Sequence, residues 1–163
     1  MHAGEEFGVV NAGYYAIDSL RIEKGYRAWG RELTPEINPY EAGLSFAVKL
    51  DRNFRGRDAL AALDKASIQR RVVSLVIDAP YTNLWGNELI LRNGEPVGFV
   101  TSAAFGHTAG KPVALGLITR ANDAADRQWV EDGSYQIDLA GERYAAAVTL
   151  KAPYDPDSRR IRM

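Results

Sequence analysis

The sequence predicts an α+β protein, with a helix-strand-helix unit over residues 1–66 followed by an antiparallel, jelly-roll-like β-barrel over residues 67–155. Three observations support this prediction: apolar residues at helical spacing near the start of the chain, six β-rich runs in its second part, and turn-forming pairs between those runs. The last residues, 156–163, are polar and are expected to form a surface tail.

The N-terminal unit begins with apolar residues at the spacing of an amphipathic helix, which is predicted over residues 5–20. Gly25 and Gly30 interrupt this pattern, so the chain is expected to leave the helix and continue as a loop. A short strand over 44–50 and a second helix over 57–66 complete the unit. The apolar face of the first helix would comprise Phe7, Val10, Tyr14 and Ile17, and Leu60 and Leu63 would face inward from the second.

The barrel is predicted from short β-rich runs separated by tight turns, a pattern typical of a small antiparallel barrel or sandwich. Asn93-Gly94 between two such runs is the strongest short signal for a hairpin, and Asp132-Gly133 and Ala140-Gly141 mark two further turns. The predicted strands are residues 72–77, 89–91, 96–102, 113–118, 134–139 and 144–150.

The composition excludes several classes of partner. Hydrophobic residues make up 46% and charged residues 25% of the chain, which is typical of a folded globular protein. A net charge of -1 provides no field that would attract nucleic acid or an anionic membrane. No apolar run is long enough to span a bilayer, and the first residues do not resemble a secretory signal, so a cytoplasmic location is expected.

The residue types available for chemistry narrow the choice further. The chain has no cysteine and only two histidines, His2 and His107, so a metal site is not expected. No Gly-x-Gly-x-x-Gly or Walker pattern occurs, which argues against a nucleotide or flavin loop in this chain. Ser74 or Ser102 could join His107 in a nucleophilic triad. Because the Gly-x-Ser-x-Gly elbow is absent, a solvated or hydrogen-bonded loop histidine is the preferred interpretation.

A candidate ligand site lies in residues 20–30, where one carboxylate, three basic residues and two aromatic residues occur within eleven positions. Glu23 could accept two hydrogen bonds from an aminopyrimidine-like edge, with Tyr26 and Trp29 as aromatic walls. The alternative is a loop in which the two rings pack and the charges are solvated, and spacing alone favours that alternative. Arg52 or Arg55, in the cluster of charged residues over 51–58, could meet an anionic ligand tail, but a solvated loop is the preferred interpretation of this cluster.

Longer stretches of the sequence resemble a known family. Residues 18–30, Asp-Ser-Leu-Arg-Ile-Glu-Lys-Gly-Tyr-Arg-Ala-Trp-Gly, and residues 38–44, Asn-Pro-Tyr-Glu-Ala-Gly-Leu, resemble the glycine cleavage T-protein (aminomethyltransferase) family. Residues 48–51, 54–60 and 97–102 resemble the same family in order and spacing. The form Glu-Lys-Gly-Tyr-Arg-Ala-Trp-Gly looks most like the branch that is fused to flavin-dependent dimethylglycine and sarcosine dehydrogenases.

This resemblance implies a function and a role for several residues. Members of the family bind tetrahydrofolate and transfer a one-carbon unit to it from an amine donor; in the flavin-linked branch the flavin lies in a separate domain. The family's pterin-binding glutamate falls on Glu23 and its basic contact falls near Arg52, whereas Tyr26 and Trp29 are inferred from residue type alone. The carboxylate that assists the transfer belongs to the family's N-terminal part, so no catalytic residue is expected here.

The resemblance extends from about Gly13 to Pro153 and covers less than half of the family's folate-binding domain. Residues 1–66 would then be a C-terminal remnant of that domain, and residues 67–155 would be the family's C-terminal barrel. We therefore expect a half-site for folate that is completed by the missing N-terminal half or by a partner subunit. Self-association through the severed edge is a further expectation.

Three alternatives remain open from the sequence. The chain could be a non-catalytic structural or assembly module derived from the family, which exposed apolar residues on the first helix would favour. It could use a folate pocket for regulation or iron–sulfur maintenance, although the cysteine-containing motif usual in such proteins is absent. The same folate chemistry could also demethylate a sulfur or methoxy donor.

Overall fold

The computed structural model describes residues 2–80 and 84–162 and contains an antiparallel β-barrel preceded by a segment of short helices and loops. The strands are β1 (Arg70–Ile77), β2 (Leu89–Arg92), β3 (Glu95–Gly106), β4 (Lys111–Thr119), β5 (Tyr135–Leu139) and β6 (Glu142–Thr149). The α-helices are α1 (Tyr14–Glu23), α2 (Arg57–Ala61) and α3 (Arg127–Glu131). The barrel closes in the order β1-β4-β3-β2-β5-β6. The predicted α+β class with a C-terminal antiparallel barrel is confirmed.

Two-residue turns set the register of two hairpins. Asn93 and Gly94, between β2 and β3, have φ angles of 52° and 88°. Ala140 and Gly141, between β5 and β6, have φ angles of 53° and 91°. Positive φ at both central positions is the pattern of a type I′ turn, whose twist matches that of the paired strands. Both turns occur where the sequence predicts them, and the third predicted turn, at residues 132–133, joins α3 to β5.

The barrel interior forms the main hydrophobic core. Its residues alternate along the strands, because neighbouring side chains point to opposite faces of a sheet. Strand β4 is buried along nearly its whole length, since one face lines the core and Val113 and Leu115 on the other face pack against Ile22 of α1. The buried members of the core are Val73, Leu75, Ile77, Ile90, Val100, Ala114, Ile118, Val130, Tyr135 and Ile137.

Helix α1 ends at Glu23, two residues before Gly25, the first glycine that interrupts the helical pattern in the sequence. Gly25 has a φ of 68°, a conformation that favours glycine, and its N–H donates to the carbonyl of Ile22 at 2.9 Å. The N–H of Tyr26 donates to the carbonyl of Arg21 at 2.8 Å. Together these bonds form a Schellman motif, which satisfies carbonyl groups at the end of the helix.

The N-terminal helix is shorter than predicted, and its predicted apolar face is not buried. Instead of one helix over residues 5–20, the structure has a 3-10 helix at His2–Phe7 and then α1. Gly8, with a φ of 68°, interrupts the segment between them. Helix α1 packs on the barrel through a different face, which includes Ile22. The exposed members of the predicted face are Phe7, Val10, Tyr14 and Ile17.

Residues 44–50, where the sequence predicts a strand, are all described by the structure and form no strand. A 3-10 helix at Ser45–Ala47 takes its place, with the N–H of Ala47 donating to the carbonyl of Leu44 at 3.0 Å. The β-rich composition of the segment is not enough to make a strand, because a strand requires a partner and the six barrel strands already pair in a closed ring.

The second predicted helix is also shortened. The sequence predicts this helix over residues 57–66, but α2 ends at Ala61, and a separate 3-10 helix at Lys65–Ser67 follows. The side chain of Asp64 accepts the N–H of Ala66 at 2.9 Å, which starts this second turn independently. Leu63 is exposed, so the prediction that it faces inward is wrong.

The predicted boundaries of the N-terminal unit (1–66), the barrel unit (67–155) and the tail (156–163) stay predictions, because the positions of the helices and strands do not define where one unit ends and the next begins. The ends of the predicted 1–66 unit and 156–163 tail, Met1 and Met163, lie outside the described residues. Within the tail, Arg159 is exposed, as expected for a polar surface segment.

Replacing Ile137 with alanine is expected to lower the free energy of unfolding by about 2–5 kcal/mol, because the side chain is fully buried and a cavity would remain. Ile17→Ala is the matched control, since it deletes the same atoms at a position that is 57% exposed. Its expected effect is within about 0.5 kcal/mol. Denaturant titration measures both changes, and equal losses would contradict the exposed position of Ile17.

Candidate functional site

Glu23, the last residue of α1, is buried against the barrel with 1% of its surface exposed. Its Oε1 atom accepts the backbone N–H groups of Thr108 at 2.9 Å and Ala109 at 2.8 Å, in the turn between β3 and β4. The backbone carbonyl of Glu23 accepts the N–H of Tyr154 at 2.9 Å. A buried carboxylate is costly unless it is hydrogen-bonded, and these two N–H groups meet that need. The alternative in which this charge is solvated is therefore wrong.

A second carboxylate, Glu32, is completely buried between the N-terminal segment and β3. Its Oε1 accepts hydrogen bonds from the hydroxyl groups of Thr101 and Ser102, each at 2.6 Å. Its Oε2 accepts the N–H of Ala28 at 2.9 Å and lies 3.5 Å from Nη1 of Arg21. Arg21 also donates from Nη2 to the Ser102 hydroxyl at 2.9 Å. The buried charge is thus matched by a cation and by several hydrogen-bond donors.

A β-bulge in β3 brings the two hydroxyl groups together at Glu32. The pairing of β3 with β4 shifts between Val100, which lies opposite Gly116, and Ser102, which lies opposite Leu115. In a regular strand Val100 and Ser102 would point to the same face, whereas the extra residue of the bulge directs Ser102 away from the core. The sequence does not predict this cluster, because Glu32 lies in an apparent loop and nothing in the strand pattern indicates the bulge.

The four predicted folate-binding residues differ in their burial. Glu23 is buried, whereas Tyr26 is 54% exposed and Trp29 is 78% exposed. Arg52 is also exposed, in the loop before α2. Their roles in folate binding therefore stay predictions.

Two cavities flank the segment that follows α1. The larger has a volume of about 700 Å³ and lies between α1, β3 and the loop at Leu84 and Trp85. The smaller, of about 480 Å³, lies between residues 24–27 and the C-terminal segment that includes Lys151. Of the four predicted residues, Tyr26 lines the smaller cavity, and the other three line neither of these two. Side chains lining the larger one include Tyr15, Leu20, Arg31, Phe105 and His107.

The basic residues at the smaller cavity are engaged by neighbouring groups. Arg27 donates from Nε to the carbonyl of Ala42 at 2.9 Å. Burial lowers the pKa of Arg27, and the nearby Glu32 carboxylate partly opposes this effect. Lys24 pairs with Asp155 at 2.9 Å, and this hydrogen bond lowers the pKa of the Asp155 carboxyl. The Lys24–Asp155 pair connects the end of α1 to the C-terminal segment.

His107 is exposed in the β3–β4 turn, and its ring meets that of Phe105 edge-on with centroids 5.3 Å apart. Within residues 2–80 and 84–162, no group of three or more acidic or histidine side chains could hold a metal ion. The helices described in the same ranges are too short or too polar to cross a membrane.

Comparison with known proteins identifies the family. Residues 70–155 match the glycine cleavage T-protein C-terminal barrel domain, which corresponds to β1–β6 and the segment just after them. Residues 1–52 match the GCVT N-terminal domain. The chain belongs to the glycine cleavage T-protein family. Family membership confirms the resemblance carried by residues 18–30 and by the later motifs.

The chain is similar to much longer proteins. It is 43% identical over 165 residues to mitochondrial sarcosine dehydrogenase of Mus musculus, covering 99% of this chain and 18% of that protein. It is 35% identical over 150 residues to mitochondrial dimethylglycine dehydrogenase of Homo sapiens, covering 91% of this chain and 17% of that protein. The chain thus spans less than a fifth of the length of these relatives. Because both relatives are mitochondrial, the expected cytoplasmic location stays a prediction.

A solved structure is similar to most of this chain. The crystal structure of glycine cleavage system aminomethyltransferase T from Bartonella henselae matches with a TM-score of 0.70 and 29% sequence identity. The match covers 85% of this chain and 37% of that one. Because the match covers 85% of the chain, it includes residues of both the barrel and the segment before it.

Replacing Glu32 with alanine is expected to lower the free energy of unfolding by about 3 kcal/mol or more, because buried donors and the Arg21 charge lose their partner. Glu36→Ala removes an exposed carboxylate from the same loop and is expected to change stability by no more than about 0.5 kcal/mol. Denaturant titration measures the free energy of unfolding of both variants. Similar small changes would show that the Glu32 cluster does not hold this segment on the barrel.

Proposed function

We propose that this chain is the C-terminal portion of a tetrahydrofolate-dependent aminomethyltransferase, which transfers a one-carbon unit from an amine donor to folate. Membership of the T-protein family and the similarity to an aminomethyltransferase structure support this proposal. The observation that carries it is the buried carboxylate of Glu23, on which the family's pterin-binding glutamate falls. A carboxylate held away from water is well suited to recognise the aminopyrimidinone edge of folate.

The hydrogen bonds of Glu23 leave one carboxylate oxygen for a ligand. Oε1 accepts from Thr108 and Ala109, whereas Oε2 accepts no hydrogen bond from the residues that the structure describes. The amino-pyrimidinone part of folate presents N–H donors on one edge. Hydrogen bonds from such donors to a carboxylate are charge-assisted and therefore stronger than neutral ones. Glu23 would thus fix the orientation of the pterin ring.

The remaining pocket residues would act together with protein outside this chain. Tyr26 and Trp29 offer exposed aromatic faces, and Arg52 offers an exposed cation that suits the anionic tail of folate. A ligand site normally encloses most of its ligand, and neither of the two cavities described above is lined by Glu23 together with any of these residues. The chain therefore contributes a half-site, with the catalytic carboxylate and the other walls supplied by the rest of the domain.

The outward face of α1 supports this arrangement. Scattered exposed apolar side chains are common, but a continuous set of them is typical of an interaction surface. The match to aminomethyltransferase T covers 37% of that chain, so most of that enzyme lies outside the region shared with this protein. The occupant of the surface is therefore the remainder of the folate-binding domain. The exposed residues on and before α1 are Phe7, Val9, Val10, Tyr14, Tyr15, Ile17 and Leu20.

The amine donor is an N-methylated amino acid, and a flavin in another domain would oxidise it. The names of two relatives, sarcosine dehydrogenase and dimethylglycine dehydrogenase, support this donor class. This chain has no nucleotide-binding loop that could hold the flavin. Oxidation of the N-methyl group in the flavin domain would give an imine, and its one-carbon unit would pass to folate at the site that Glu23 helps to form.

Calorimetric titration of tetrahydrofolate into this chain tests the half-site. Weak, saturable binding is expected for the unmodified chain, because Glu23 is in place while much of the pocket is absent. Glu23→Ala is expected to weaken this binding at least tenfold, about the effect of one lost charge-assisted hydrogen bond. Glu36→Ala, which removes an exposed carboxylate, should leave the affinity unchanged.

Two results of this titration would contradict the proposal. The first is equal affinity for the unmodified chain and Glu23→Ala, which would remove Glu23 from the site. The second is an absence of binding at tetrahydrofolate concentrations in the millimolar range, which would show that this portion holds no folate site alone.

A non-catalytic structural or assembly module is the second candidate function. The observation that favours it is the exposed apolar face of α1, since such a face needs a protein partner whether or not the partner is catalytic. In this case the barrel would pack against other parts of a larger assembly, and Glu23 would only hold the β3–β4 turn in place through its hydrogen bonds.

Self-association of the isolated chain tests the α1 face. Without its partner the apolar face is expected to pair with a second copy at high concentration, and the double variant Tyr14→Ser/Ile17→Ser is expected to remain monomeric. Leu63→Ser alters an exposed residue away from α1 and is the control. Sedimentation velocity over a range of concentrations measures the effect. Association that persists in the double variant would place the contact elsewhere.

A further inference from the structure

The β3–β4 turn holds Glu23 by one oxygen only. Both N–H groups that reach the carboxylate, from Thr108 and Ala109, point at Oε1. A carboxylate oxygen that accepts two backbone N–H groups is restricted in rotation, so the position of Oε2 is fixed as well. In ordinary surface carboxylates neither oxygen is constrained in this way.

Further contacts next to the Glu23 hydrogen bonds hold α1 against the two strands that flank the β3–β4 turn. The Ser19 hydroxyl of α1 donates to the carbonyl of Phe105 at 2.6 Å, and Ile22 packs on Val113 of β4. Within the turn, the N–H of Gly110 donates to the carbonyl of Gly106 at 2.8 Å. The N–H groups that hold Oε1 therefore belong to a rigid hairpin end and not to a free loop.

Gly106 is the position at which the hairpin comes closest to the carboxylate. A Cβ atom built on Gly106 would lie 2.9 Å from Oε1 of Glu23 and 2.8 Å from Cγ1 of Val113. Both distances are shorter than ordinary van der Waals contact, so a side chain here would displace the carboxylate. The absence of a side chain at this position allows the two N–H groups to reach Glu23.

We propose that the β3–β4 turn, residues 106–109, is the positioning element of the folate site. Thr108 and Ala109 fix Oε1 through their backbone N–H groups, and Gly106 provides the space, so that Oε2 alone is presented to the ligand in a set orientation. This inference rests on the proposed function, because it assigns the turn a role at the same site. The turn acts through Glu23 and does not touch folate, so its residues are positioning residues. Specificity for the pterin edge then depends on the barrel as well as on α1.

Two substitutions of Glu23 separate the roles of its two oxygens. Glu23→Gln keeps an oxygen that can accept from Thr108 and Ala109, but it replaces Oε2 with an NH2 group that cannot accept a ligand donor. Glu23→Ala removes both carboxylate oxygens. Amide hydrogen exchange of Thr108 and Ala109, measured by NMR without ligand, is expected to stay near the unmodified rate in Glu23→Gln. In Glu23→Ala it is expected to become about tenfold faster or more. Both variants are expected to lose at least tenfold in tetrahydrofolate affinity.

Two glycine substitutions test the turn itself. Gly106→Ala is expected to weaken tetrahydrofolate binding at least tenfold by displacing the carboxylate. Gly116→Ala is the matched control, because its Cβ would lie 2.5 Å from Cδ1 of Ile90 in the barrel core and would strain the fold without touching Glu23. Its folded fraction is expected to bind tetrahydrofolate with unchanged affinity. Affinities are compared at a temperature where circular dichroism shows each variant to be folded.

The outcomes distinguish this inference from the proposed function. Unchanged exchange of Thr108 and Ala109 in Glu23→Ala, or equal affinities of Gly106→Ala and Gly116→Ala, would overturn the positioning role of the turn. Lack of tetrahydrofolate binding by the unmodified chain would overturn the proposed function instead. The exchange comparison, which needs no ligand, would then still decide whether the turn holds the carboxylate.

Discussion

Burial of carboxylates against β3 and its following turn is the interaction on which the arrangement of the N-terminal segment depends. Glu32 is completely buried and only 1% of the surface of Glu23 is exposed, so each would make this packing unfavourable if its donors were missing. The barrel provides those donors from Thr108 and Ala109 in one case and from Thr101 and Ser102 in the other. The position of α1 is thus set by hydrogen bonds at defined points as well as by apolar contact.

This arrangement gives α1 two faces with different roles. The inner face, with Ile22 and Glu23, is committed to the barrel, whereas the outer face, with Tyr14 and Ile17, remains apolar and exposed. Such a helix is typical of an element that lies between two parts of a larger domain. The residues of the proposed folate site have the same division, because Glu23 is fixed from the barrel side while Trp29 is exposed. This division is the reason for proposing a half-site in this chain.

The barrel could be predicted from sequence because its information is local. Alternating apolar residues, together with Asn93-Gly94 and Ala140-Gly141, specify strands and hairpin turns over a few positions. The prediction failed at residues 44–50, where strand-like composition had no partner strand. It also failed at the first helix, predicted over residues 5–20, because Gly8 with its positive φ interrupts the chain after a 3-10 helix and α1 begins only at Tyr14. Glu23 was singled out by its family motif, whereas its partners in the β3–β4 turn were not.

The sequence by itself determined the family, the six strands of the barrel and the change from helix to loop near Gly25, because motifs, turn pairs and a glycine with positive φ act over short distances. Only the tertiary structure decided which charges are buried. Glu32 meets Ser102, 70 positions away, because a bulge in β3 rotates that residue out of the core, and Glu23 meets Ala109, 86 positions away, because the barrel closes beneath α1. Such long-range contacts depend on strand register and on the path of the chain in three dimensions, and no local sequence pattern predicts either.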